Sequence, residues 1–208
     1  VSIYLSLSLI IPLLALIVNY SKTVATKENK EPVFSVLISF AFVVFGLTNV
    51  LQIISSISNV TPIVSLTNFE YSVRYGYMYS LILILIPFVY HLVPKIYGRE
   101  FIYGRLETFN AYLLGTSVVA TLSLNTLIGI NSGFSWNAGA NAGNPTIYGE
   151  GFLITWSLIS TPYTFILFLS LLFLLSTFLF TLSTLKAIIG GSVTESETVS
   201  EISGDNDE

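Results

Sequence analysis

The whole stretch from Gly151 to Leu185 carries no charged side chain. A spanning helix needs roughly 20 predominantly apolar residues, and every backbone N–H and C=O in lipid must be bonded within the protein. A run this long and this apolar therefore points to helix in a bilayer. Composition agrees: of 208 residues, 53% are hydrophobic and 10% are charged, with a mean hydropathy of +0.78. A soluble domain carries about 25% charged residues, so lipid has to be part of this chain's solvent.

Apolar runs predict an all-α membrane protein, a five-transmembrane-helix bundle over residues 1–190, with spans near 3–20, 33–56, 72–93, 110–131 and 161–188. The segment Ser2 to Asn19 has no basic n-region and no Ala-x-Ala site after it, so it reads as a retained span rather than a signal peptide. Pro32 suits the first turn of the second span, where its missing N–H is not needed. Residues 55–68 and 94–107 read as loops, the first rich in Ser, Asn and Thr and the second basic. Residues 131–150, rich in Gly and Asn, read as a further loop. Pro162 is expected to split the charge-free stretch into a short surface helix and the last span. The tail, 191–208, holds six acidic residues and no basic one, which predicts a solvated, disordered segment.

Seven of the eight basic residues mark one side of such a bundle. Lys22, Lys27 and Lys30 lie in the first loop, Lys95, Arg99 and Arg105 in the third, and Lys186 ends the last span; Arg74 alone falls elsewhere. The positive-inside rule then places these loops and the tail in the cytoplasm and the N-terminus outside the cell membrane. The outer loops carry almost no charge, which would suit an acidic exterior and an acidophilic archaeon. The chain has no cysteine, which excludes disulfides, thiolate metal sites and cysteine nucleophiles. No basic patch suggests nucleic acid, and no phosphate loop, catalytic triad or intramembrane carboxylate pair is visible.

The run Pro94-Lys-Ile-Tyr-Gly-Arg-Glu-Phe-Ile-Tyr103, led in by Tyr90-His-Leu-Val, resembles the link between the tenth and eleventh helices of haem–copper oxidase subunit I, in the branch of cbb-type cytochrome c oxidases and nitric oxide reductases. Gly129-Ile-Asn-Ser-Gly-Phe-Ser-Trp136 resembles that branch's Gly-Ile-x-x-Gly-x-x-Trp, and Pro32-Val-Phe-Ser-Val-Leu the start of its ninth helix. The resemblance implies that the chain corresponds to helices eight to twelve of a twelve-helix subunit. It also carries a departure. Where the family's tenth helix has His-x-His for its two haems, this chain has Ser72 and Arg74, or Tyr77 and Tyr79 in a shifted frame. The haem and copper ligands therefore transfer to no residue here, and no cofactor is expected on this chain. Haem is expected only in partner subunits of a respiratory complex.

Several residues remain candidates. His91, the one imidazole, sits near the end of its span and reads as interfacial or structural. Met78 reads as packing. Glu70 and Arg74 are spaced i, i+4 and read as a structural ion pair. An arginine deep in a span costs about 2.5–3.5 kcal/mol on insertion scales, but near a helix end it can snorkel. Arg74, Tyr75 and Tyr79 are the candidate contacts to a partner's cofactor, with Tyr71, Tyr75 and Tyr79 repeating every four residues on one face. Asn49, Gln52 and Asn125 read as interhelical hydrogen-bonding residues. Asn59-Val-Thr is a glycosylation sequon on the outer side, and Asn19-Tyr-Ser one at the cytoplasmic face. Three functions are compatible: a non-catalytic, haem-less subunit scaffolding an oxidase-like complex with other membrane subunits and lipid; the C-terminal half of a split oxidase; or a small membrane transporter using Glu70 and Arg74.

Overall fold

The structure, a computed structural model, describes residues 4, 8, 10–26, 32–65, 67–97, 105–141 and 145–190. The acidic tail, Lys27, Lys30, Arg99 and the side chains of His91, Lys95 and Trp136 lie outside the described residues. All described elements are helices: α1 (Ile10–Thr26), α2 (Pro32–Ser55), α3 (Thr61–Val64), α4 (Asn68–Ile96), α5 (Arg105–Asn141) and α6 (Pro145–Gly190). Four of them are long and apolar enough to cross a membrane, over Val33–Ser55, Asn68–Tyr90, Arg105–Ser135 and Ser160–Ile189. The first expected span is helical from Ile10, but its apolar part among the described residues, Ile10–Tyr20, is shorter. At 1.5 Å per residue it would reach about 16 Å, against a hydrocarbon core of about 30 Å.

Two expected breaks are absent. The Gly/Asn-rich segment 131–150 is not an open loop, because α5 continues to Asn141 and α6 begins at Pro145. Alanines between the glycines and asparagines lower the helix penalty there, and Pro145 stands at the first helical position, where proline is preferred. Nor does Pro162 divide the last stretch, since α6 runs through it unbroken to Gly190. Membrane helices tolerate proline where neighbouring groups satisfy the freed carbonyl. The 37 residues of α5 and 46 of α6 correspond to about 55 and 69 Å. Both outrun a bilayer and continue as paired helix beyond the 55–68 connector.

The helices are apolar nearly all round, so no amphipathic stripe drives their association. In lipid, packing and interhelical hydrogen bonds have to supply it. At the end bearing Arg105 and Lys186, here the basic end, Leu37 and Val44 of α2 meet Leu83 and Tyr90 of α4, Leu114 and Val118 of α5, and Phe180 of α6 in one cluster. At the connector end, Leu51, Val64, Phe69, Val73 and Leu122 form a second.

The helices also approach through small residues. Gly76 of α4 leaves no room for a Cβ against Thr48 of α2. Gly129 and Gly133, one turn apart on α5, seat the backbone of Phe69 and the carbonyl of Ile63, so the connector and the start of α4 rest on a Gly-x-x-x-Gly face. Helix α1 is peripheral and touches α2, with the Tyr20 hydroxyl donating to the Ser35 carbonyl at 2.9 Å.

Candidate functional site

Helix α4 divides the expected site residues between two faces. Ser72, Gly76, Ser80 and Leu83 are buried. Ser72 donates its hydroxyl to the Asn68 carbonyl at 3.0 Å and lies 3.4 Å from the Leu122 carbonyl, which places it in the contact with α5. Arg74, Tyr71, Tyr75 and Met78 face outward. Arg74 Nη2 lies 3.3 Å from Glu70 Oε1, and the two side chains are 73% and 50% exposed. An exposed pair of this kind contributes a few tenths of a kcal/mol at most to stability.

The four tyrosines separate in the same way. Tyr71 and Tyr75 stack with ring centroids 4.6 Å apart, and Tyr79 stands a turn further along, edge-on to Phe173 of α6 at 5.8 Å. Tyr77 faces α2, where its hydroxyl donates to Asn49 Oδ1 at 3.3 Å while Asn49 Nδ2 donates to the Phe45 carbonyl. In the shifted frame of the resemblance, then, Tyr77 and Tyr79 diverge to different neighbours.

The structure brings Tyr71, Tyr75 and Tyr79 together with α5 and α6 around a groove. Its half nearer the connector holds about 210 Å³ and is also lined by Ser72, Asn125 and Ile166. Its other half holds about 220 Å³ and is lined by Val118, Phe173 and Leu174. Tyr79, Thr121 and Ser170 line both halves. Glu70 and Arg74 are not among the lining residues. Asn125, expected to bond across helices, instead donates to the Thr121 carbonyl of its own helix at 3.0 Å and turns toward the groove.

The most extensive interhelical polar contact among the described residues joins two side chains that no sequence expectation singled out. Asn110 of α5 and Ser176 of α6 are both buried. Asn110 Nδ2 donates to the Ser176 carbonyl at 3.1 Å, and the Ser176 hydroxyl reaches Asn110 Oδ1 at 2.7 Å and its carbonyl at 3.1 Å. An asparagine in an apolar span was the available signal; its partner, 66 positions away, was not. Near the connector end, Asn68 of α4 donates its side-chain amide to the Tyr163 hydroxyl of α6. Asn59 is exposed in the turn before α3. Among the described residues, no three His, Cys, Asp or Glu side chains gather where they could hold a metal ion. Set against known protein families, curated proteins and solved structures, the chain has no significant match.

Proposed function

We propose that this chain is a non-catalytic integral membrane subunit that scaffolds or anchors a multi-subunit complex. The observation that carries the reading is the surface of α6. Its span is only 11% buried, and it turns Phe165, Phe168, Leu171, Leu175 and Phe178 outward while anchoring itself through Ser176 and Phe180. A helix so little covered by its own chain has its packing surface available to lipid and to the helices of other subunits. Exposed apolar surface of this extent marks membrane or protein interaction.

The resemblance to oxidase subunit I supports a respiratory electron-transfer complex, with haem in partner chains and Arg74, Tyr75 and Tyr79 on the side nearest such a cofactor. In this reading the basic end faces the cytoplasm. That assignment does not depend on whether the first apolar segment crosses, because the connector and the basic end lie on opposite sides of the same four helices.

Purification in mild detergent, followed by identification of stoichiometric partners and a reduced-minus-oxidised spectrum, tests the proposal. The expected result is a complex whose haem bands belong to the partners and disappear when this chain is isolated. A haem spectrum retained by the isolated chain and abolished by Tyr77→Phe or Tyr79→Phe would establish the split-oxidase reading instead.

A further inference from the structure

Arg74 is the one basic residue outside the first loop, the third loop and the end of the last span, and α4 turns it outward. It stands six residues, about 9 Å, in from the start of the span at Asn68. Charged residues inside spans almost always face a bundle interior or a partner, yet the Arg74 side chain is 73% exposed on its own chain. Glu70 does not hold it tightly. The Nη2–Oε1 contact is 3.3 Å, longer than the roughly 2.7–2.9 Å of a strong charge-assisted hydrogen bond. The rest of the face is apolar or aromatic. Tyr71, Arg74, Met78, Leu81, Leu85 and Phe88 are all exposed and alternate by three and four residues, the spacing at which one helix packs along another. Arg74 is thus the single charge within a helix-length seam.

Three occupants can meet a guanidinium here, and two of them fit badly. A lipid phosphate reaches this depth from the head-group layer, but Glu70 lies about 6 Å nearer that layer on the same face, so the phosphate meets a carboxylate first. A second copy of this chain, set alongside by a two-fold axis along the membrane normal, puts Arg74 level with Arg74 and Glu70 level with Glu70. Like charges then face each other, and opposite charges meet only on the longer diagonals. A different helix has neither fault when it presents a side-chain carboxylate level with Arg74.

We propose that the outward face of α4 docks a membrane helix of another subunit, one that carries an aspartate or glutamate level with Arg74 in an otherwise apolar seam. The inference rests on the scaffold reading and names the kind of partner that reading needs.

Energy transfer in vesicles of uncharged dioleoylphosphatidylcholine tests it. The donor dye sits on Asn59→Cys of the full chain, which has no native cysteine. The acceptor sits on the amino end of a Leu/Ala transmembrane peptide as long as the α4 span, with Asp or Lys at its seventh position. The Asp peptide should bind about tenfold or more tightly than the Lys peptide, since like charges set together cost several kcal/mol. Arg74→Glu should invert the preference, and Arg74→Gln should abolish it. A preference that persists in Arg74→Gln overturns the proposal. So does displacement of the Asp peptide by dioleoylphosphatidylglycerol, which assigns Arg74 to lipid phosphate. Transfer between donor- and acceptor-labelled copies of the chain that Arg74→Gln abolishes overturns it in favour of a second copy. The detergent purification decides the scaffold reading separately: stoichiometric partners together with charge-blind peptide binding defeat this inference alone.

Discussion

Replacing Gly129 with alanine tests how the bundle is held together. A Cβ at this position would run into the backbone N and Cα of Phe69 and its Cβ. Backbone atoms cannot rotate away, so α4 and α5 must separate, and the Phe69 side chain, now fully buried, must leave its seat. Overpacking a tight interior costs typically 1–3 kcal/mol, and the rigid obstacle places this case at about 2–3 kcal/mol. Gly115→Ala is the matched control. Its Cβ would meet the Phe40 ring from Cγ outward, a side chain that yields more than backbone does, so about 1–2 kcal/mol, at the low end of overpacking costs, is expected. Alanine's higher helix propensity, worth up to about 1 kcal/mol, acts at both positions and cancels in the comparison. In a titration with sodium dodecyl sulfate from mixed micelles, followed by circular dichroism, Gly129→Ala should raise the unfolding constant roughly 30- to 140-fold, at 1.4 kcal/mol per tenfold. If Gly115→Ala destabilises as much as Gly129→Ala, the distinction between a backbone seat and a yielding ring is wrong.

Three further outcomes are expected. Asn110→Leu should cost about 1 kcal/mol in the same titration, in the range of interhelical hydrogen bonds in membranes, and Ser176→Ala combined with it should add little; fully additive losses would show that the two side chains do not act as a pair. With no native cysteine in the chain, an impermeant maleimide applied to intact cells should label Asn59→Cys and leave Lys27→Cys untouched, and the opposite pattern would invert the proposed orientation. In a host that glycosylates exported proteins, glycopeptide analysis should find sugar on Asn59, which is exposed, and none on Asn19; sugar on Asn19 would count against the same topology.

The apolar runs were the legible part of the fold. Expected spans at 33–56, 72–93, 110–131 and 161–188 fall on the four helices long enough to cross a membrane, because a long apolar run is itself the signature of a span. The paired extension of α5 and α6 was not legible, since Gly and Asn signal turns in water yet are admitted by a helix whose neighbour needs close approach. Gly129 and Gly133 were visible as a motif, but what they seat, Phe69 and Ile63, depends on which helices become neighbours. The groove was half legible. The four-residue repeat of Tyr71, Tyr75 and Tyr79 marked one wall, whereas Thr121, Asn125 and Ser170 come from helices whose rotation no periodicity fixed.

Helix α6 is fastened to the bundle at Tyr163 by Asn68 and at Ser176 by Asn110. About 20 Å of helix lies between these fastenings, and it carries Ile166 and Ser170, which close one side of the groove. The segment behaves as a beam supported at two points. Pro162, next to the upper support, removes one backbone hydrogen bond where the load is taken. The two supports, together with the Tyr79–Phe173 ring contact between them, set how wide the groove stands. Asn68 and Asn110 line none of it, so they act on the groove only by holding α6 in place.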